Sequence, residues 1–514
     1  MQSPDEVPDA ESAAACALPE ADVHACLRVL RAVEADRSHL TRLSREIRRE
    51  LVTLAGLVAK PDRQDLVRMA KAFRRADREA AKAHDRRAID QAGLRVQRRS
   101  SAYAPLWLEP PVEPAGDDRP ELRRHRACYV CKRPFVKVHR YYDSMCGECG
   151  DFNYSKREQT ADLRGRFALV TGARVKIGFQ ASLKLLRAGA HVVATTRFPV
   201  DAVQRYAKEP DYPEFSPRLQ IHGLDLRHAP SVEIFARFLS DRLPHLDYLI
   251  NNACQTVRRP AGFFEHLIAR ERQPLAELPA EWRAPLTLHD DLRRALSRGR
   301  LRGSSPPLAG LPPAEGVLES AACSQRHYLD EDFGDTMFPK GRFDEDLQQV
   351  DLRAVNSWRL RLHEVETPEL LEVHLVNAIA PYVLNARLKA LMLRTAALDR
   401  HIVNVSAMEG QFYRTTKTDK HPHTNMAKAA LNMMTRTSAP DYVKDGIHMN
   451  AVDTGWVTDE DPAMHAARKA ELGFAPPLDI IDGASRIVDT IFDGRLTGHQ
   501  VWGQFLKDYR PAPW

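Results

Sequence analysis

The chain has 514 residues, too many for one ordinary domain, and its 43% hydrophobic and 28% charged content is that of a soluble globular protein. With 75 Lys and Arg against 69 Asp and Glu, its net charge of +6 does not by itself argue for nucleic acid. No apolar run is long enough to span a bilayer, and the N-terminus lacks the basic-then-apolar layout of a secretion signal, so no membrane partner is expected.

Residues 1–20 are rich in Ala, Pro and acids and are predicted to be disordered. A helical hairpin is predicted over 21–103. Leu40, Leu43, Ile47, Leu51, Leu54 and Leu57 recur at spacings of three and four, and Pro61-Asp62 breaks the pattern. A second basic helix then carries Leu66, Met69, Ala70 and Phe73 on one side. That stripe is read as packing onto its own protein, with a partner-binding seam as the alternative. Residues 104–127 read as a Pro-rich linker.

A four-cysteine zinc module is predicted over 128–162. Cys128-x-x-Cys131 and Cys146-x-x-Cys149 are separated by fourteen residues, a spacing that brings four thiolates around a tetrahedral Zn²⁺. Four sulfurs complete the shell, so His139 between the knuckles is not counted as a ligand and the zinc is structural. Free cysteines in this pattern suit a reducing compartment, and a cytoplasmic location is the expectation. The nearby Arg123, Arg124, Arg126, Lys132, Arg133, Lys137 and Arg140, with Tyr129, Phe135, Tyr141 and Tyr142, admit two readings. One is a nucleic-acid surface; the favoured one is a solvated basic face with aromatics packed over the knuckle.

From residue 163 to 514 the pattern is that of an α/β domain, a doubly wound parallel Rossmann sheet interrupted by a Pro- and Arg-rich insertion at 258–367. The apolar run Phe167–Val170 ends in Thr171-Gly172, and Gly178 opens an amphipathic helix, the strand–turn–helix that seats a dinucleotide pyrophosphate. A second strand, His191–Thr196, ends beside Arg197 with no carboxylate for a ribose 2′-hydroxyl. A 2′-phosphate suits this better, with Arg197, and Arg174 or Lys176, as its partners, so NADP(H) is favoured over NAD(H). Asp225-Leu226 follows the third strand, Asn251-Asn252-Ala253 the fourth, and Cys254 reads as packing.

Taken in order, residues 165–257 and 370–500 resemble the short-chain dehydrogenase/reductase family. Its glycine turn, Thr-Gly-x-x-x-Gly-x-Gly, is matched by Thr171, Gly172 and Gly178, with Lys176 in place of the middle glycine, and the resemblance implies a cofactor contact at Ile177 as well. The resemblance implies an adenine contact at Asp225 and Leu226, and Asn252 and Ala253 in the Asn-Asn-Ala-Gly signature. It also implies a water-holding asparagine at Asn377 and a substrate-orienting serine at Ser406. Gly455, Val457 and Thr458 fall in the loop that flanks the nicotinamide, where Thr454 replaces a proline. The family's Tyr-x-x-x-Lys is matched by Lys428, but Thr424 stands where tyrosine belongs. An aliphatic hydroxyl is too weak an acid for the tyrosine's work, so Lys428 keeps the ribose while the proton donor is atypical. Tyr413, His421 and His423 are the candidates nearest in sequence. Trp358, Trp456 and Phe412 are candidate pocket walls. The expected activity is hydride transfer to or from a carbonyl-type small molecule. A non-catalytic NADP(H)-binding sensor or adaptor is the alternative, and an oligomer is compatible with either.

Overall fold

The computed structural model describes residues 18–99, 121–297, 314–329, 337–344, 346–413 and 417–514. Most of the predicted disordered segment, the linker up to 120 and the Pro-rich parts of the insertion at 304–307 and 311–313 lie outside the described residues. The chain forms two compact units, Met1–Ala83 and His84–Trp514.

In the first unit, α1 (Glu20–Ala35), a 3-10 turn (Arg37–Arg42), α2 (Arg45–Ala59) and the start of α3 (Arg63–Asp90) follow one another. The Asp36 side chain caps the turn through Ser38, and Ser44 caps α2 through the Ile47 amide. The predicted hairpin is therefore the α2–α3 part of a longer helical series. Its apolar stripe is not packed away: α1 and α2 have no buried residue, and Ile47, Leu54, Leu57, Leu66, Met69 and Phe73 are exposed. Among the described residues, nothing apolar within this Arg- and Glu-rich unit closes over the stripe.

The second unit begins with a small module. The Gly93 and Leu94 amides of α4 (Gly93–Arg99) donate to the Arg140 and Tyr141 carbonyls, both at 2.9 Å. The linker ends earlier than expected, because residues 121–127 form strand β1 (Glu121–Ala127), paired antiparallel with β2 (Pro134–Lys137). The second knuckle leads into α5 (Gly147–Glu158).

The main sheet contains β3 (Phe167–Thr171), β4 (His191–Thr196), β5 (Leu219–Gly223), β6 (Tyr248–Asn251), β7 (Arg400–Ser406), β8 (Ile447–Asp453), β9 (Phe505–Lys507) and β10 (Arg510–Ala512). Their order is β10-β9-β8-β7-β6-β3-β4-β5, parallel throughout except for β10 on β9. Alternate residues feed opposite faces, as a period of two requires. Ala168, Val170, Val192 and Ile250 pack beneath α6 (Lys176–Arg187) and the helix Ile480–Thr497, while Leu169, Val193, Leu249 and Ile402 pack against Ala229–Arg242 and Ala380–Met392. Both faces are covered, which is why the strands read as continuous apolar runs.

A buried amide network ties β6 and β7 to the flanking helices. Asn251 donates to Asn385 and Asn404, both at 2.8 Å, and Asn404 donates to Thr435 at 3.0 Å. The insertion is substantially built structure: Ala261–Glu271 and Ala280–Ser297 are helices, and His289 of the latter accepts from the Gly223 amide at the end of β5. Strand order reverses between β3 and β6, and ligands of such sheets bind at that switch point, beyond the carboxyl ends of the strands.

Candidate active site

A cavity of about 1220 Å³ opens at that switch point. It runs from the β3 turn, past the ends of β4 and β5, to Ser406 and Lys428.

The glycine turn is held by its neighbours. Gly172 has φ +67°, and a Cβ there would meet the Ala253 Cα at 2.8 Å. A Cβ on Gly178 would lie 2.3 Å from both the Asn252 Nδ2 and the Gly172 carbonyl oxygen, so only glycine lets the helix start so close to the strand. Asn252 Nδ2 donates to the Thr171 and Gly172 carbonyls at 3.0 and 3.2 Å, and the Thr171 hydroxyl accepts from the Ala253 amide at 3.0 Å. Thr171 is thus buried support, while Gly172, Ile177, Gly178, Asn252 and Ala253 face the cavity. Lys176 takes the missing glycine's conformation, with φ +54°. This cradle fits a nucleotide pyrophosphate: open backbone at a helix start, with no Cβ to obstruct it.

The cations near the turn differ in availability. Arg174 is committed to Asp201 at 2.6 Å and to Gln348 of the insertion. Lys176 lies 3.6 Å from Asp346; burial works against its charge, but Glu460, Asp346 and Asp344 together hold its pKa above the ordinary lysine value. Arg197 stacks over Phe198 and Phe264, at 5.5 and 4.5 Å from the ring centroids, and has no ion pair among the described residues. Burial, aided by Arg227 and Arg174, pushes its pKa down to about 10, which leaves it charged at neutral pH. Asp225 is paired with Arg227 at 2.6 Å; burial raises its pKa, but Arg227 wins and keeps it ionised. Asp225 and Leu226 both face the cavity.

At the other end, the Ser406 hydroxyl donates to Asn432 Oδ1 at 2.6 Å, and Lys428 Nζ donates to the Val405 carbonyl at 2.7 Å. Lys428 is buried and has no acidic partner among the described residues. Asn377 lies in a π-helical turn, Leu375–Ile379, and clamps both backbone groups of Gln255, accepting at 2.7 Å and donating at 3.0 Å. Gly455, Val457 and Thr458 line the cavity beyond β8. Thr458 donates to Glu460, a carboxylate that burial would neutralise but that Lys176 and Arg259 keep ionised.

The structure does not bring Thr424 to the cavity. Its side chain is buried, its hydroxyl is without a hydrogen-bond partner among the described residues, and it is absent from the cavity lining. A side chain that ends at the γ position stops inside the helix packing. The three substitutes also fall away. Tyr413 is 88% exposed; His423 is buried against Glu369 at 3.5 Å. His421 stacks on Trp358 at 3.9 Å, and burial pushes its pKa down to about 4. Trp358 and Trp456 are cavity walls as expected, whereas Phe412 is exposed.

Two contributors were not legible beforehand. Gln348 and Asp344 of the insertion line the nucleotide end, and Tyr129 within the first Cys-x-x-Cys and Lys132 just after it line the far end. No local signal in the sequence marks either, because both arrive by docking of a separate segment. The Cys128, Cys131, Cys146 and Cys149 sulfurs all lie within 4.8 Å of one another, and the Cys131 and Cys146 sulfurs are 3.8 Å apart. That is the edge of a tetrahedron with Zn–S bonds of about 2.3 Å, so the donor set fits zinc. His139 accepts from the Tyr141 and Tyr142 amides at 3.1 Å and takes no part in the cluster. Phe135, Tyr141 and Tyr142 are buried, so they offer no stacking platform to a nucleic acid.

Two family models match this chain: short chain dehydrogenase over residues 166–270 and enoyl-(acyl carrier protein) reductase over 353–472. An uncharacterised protein of Acanthamoeba polyphaga mimivirus is 32% identical over 393 residues, 74% of either chain. The (−)-isopiperitenone reductase of Mentha piperita is 38% identical over 91 residues, 17% of this chain and 28% of that protein. The NADPH-bound carbonyl reductase from chicken fatty liver superposes with a TM-score of 0.40 at 19% identity, covering 68% of this chain and all of that one. No described helix is long and apolar enough to cross a membrane.

Proposed function

Because the chain belongs to the short-chain dehydrogenase/reductase family, and by that membership is an NAD(P)-dependent oxidoreductase, we propose that it moves hydride between NADP(H) and a carbonyl-type small molecule without a tyrosine acid. The observation that carries the cofactor choice is Arg197, a charged guanidinium on the cavity wall with aromatic neighbours and no ion-paired carboxylate among the described residues. A 2′-phosphate is the dianion that such a group recognises.

Bound NADP(H) supplies the hydride chemistry. Gly172, Ile177 and Gly178 form the floor of the pyrophosphate turn, Asp225 and Leu226 flank the adenine, and Val457 and Thr458 border the nicotinamide end. Lys428 holds the ribose, and Ser406 orients the substrate oxygen. Asn377 acts through the Gln255 backbone, which fixes the chain leaving β6. In reduction the carbonyl carbon takes the hydride and its oxygen takes a proton. We assign that proton to the Lys428 ammonium, refilled from water, since it needs no phenol and its Nζ is held on the carbonyl of Val405, the residue before Ser406. Zinc on the four cysteines is structural, because a closed four-sulfur shell leaves no position for substrate.

The buried Thr424 hydroxyl favours the second reading, a binder of NADP(H) that does not turn over. Fluorescence titration with NADPH and NADH, followed by NADPH oxidation against a panel of aldehydes, ketones and enones, separates the two. Oxidation with any of them supports the enzyme. Tight NADPH binding with no oxidation selects the sensor, and failure to bind either nucleotide at millimolar levels ends both.

A further inference from the structure

We propose that the four-cysteine knuckle is a wall of the cofactor site, with Tyr129 as a positioning residue for the Gly455–Trp456 turn, so that zinc and NADP(H) bind with positive coupling. This rests on the NADP(H) reading above. Tyr129 lies between two of the sulfurs, Cys128 and Cys131. Its hydroxyl accepts from the Trp456 amide at 3.0 Å, and a Cβ on Gly455 would come within 3.1 Å of that oxygen. The loop that borders the nicotinamide end is therefore tied, through one hydrogen bond, to the first knuckle.

The tie is reinforced by packing. Val457 and Leu478 are buried in the same apolar cluster as Cys128, Phe135 and Met145, and Ile177 of the glycine turn packs against it. The second knuckle fixes the first: the Tyr129 amide donates to the Ser144 carbonyl at 2.8 Å, and the Cys146 amide donates to the Cys128 sulfur at 3.4 Å. α5 then anchors the module to the helix Ile480–Thr497. Arg157 grips Asp479 with two bonds of 2.7 Å, and Asn153 accepts from Arg486 at 2.6 Å. A segment this small depends on its metal for a defined fold, so metal loss frees Tyr129 and loosens the loop and Ile177 together. Thermodynamic linkage then requires the reverse: bound nucleotide must retain the zinc by the same factor.

The experiment uses the full zinc-loaded chain. Zinc transfer to a colorimetric chelator is timed with and without saturating NADPH, and NADPH affinity and emission are measured for the wild type and Tyr129→Phe. We expect NADPH to slow zinc release about tenfold, and Tyr129→Phe to keep one zinc per chain yet bind NADPH about tenfold more weakly, the effect of losing one hydrogen bond. Its bound-NADPH emission shifts toward that of free nucleotide, a signature that general destabilisation would not give. If Tyr129→Phe does not fold, the wild-type release rates still decide. Unchanged zinc release in a chain that binds NADPH overturns the coupling. Failure of that chain to bind NADPH or NADH overturns the cofactor reading, and this inference with it.

Discussion

The two ends of the cavity treat a lost motif residue in opposite ways. At the nucleotide end Lys176 replaces a glycine, yet the backbone keeps the glycine's conformation and the turn survives. At the proton end Thr424 replaces a tyrosine, and the helix survives while the reacting group is gone from the cavity. A role carried by main-chain geometry tolerates a new side chain if the backbone angles can be met. A role carried by one side-chain atom does not.

The strongest way to break this contrast is at Gly178. Gly178→Ala places a methyl group 2.3 Å from the Asn252 amide and the Gly172 carbonyl, and NADPH affinity should fall by about 100-fold or more, read by fluorescence titration. Next is Arg197→Ala, which should weaken NADPH about 10- to 50-fold while leaving NADH within about threefold; equal losses would mean that Arg197 does not meet a 2′-phosphate.

At the other end, His421 is the sharper probe. Burial lowers its folded pKa to about 4, whereas the unfolded chain binds the proton at about 6.5. The stability tied to the neutral ring is therefore whole above pH 6.5 and is lost as pH falls through 6.5 toward 4. Urea unfolding at pH 7 and pH 5 should show a smaller acid loss for His421→Gln than for the wild type. Least of all should happen at Thr424→Val. Removing a buried hydroxyl that has no partner among the described residues should change stability by no more than about 1 kcal/mol and cofactor affinity by less than twofold.

What was readable in the sequence is what is local. The β3 turn, the Asn251-Asn252-Ala253 strand end and the knuckle spacing each place their groups through a few consecutive residues, and each is found where its pattern implies. Strand β1, Glu-Leu-Arg-Arg-His-Arg-Ala, was missed because only Leu122 in it is buried, so no alternation shows. The insertion's helix Ala280–Ser297 was hidden by Pro285 within it and by the Pro-rich sequence around it. Tyr129 was unreadable as a cavity residue for a different reason: its place depends on Arg157 meeting Asp479 and Asn153 meeting Arg486, each across more than 300 residues of chain. The apolar stripe of α2 was legible as a stripe, but periodicity says nothing of what covers it.

The left-handed lysine has one further consequence. Holding a side chain at φ +54° costs the fold roughly 1 kcal/mol, a charge levied on every molecule whether or not nucleotide is present. Reverting it by Lys176→Gly should therefore raise the melting temperature even though it abolishes the Asp346 contact. A variant that melts higher but holds its cofactor less well would mark this position as one where thermal robustness has been traded for an ammonium beside the phosphates.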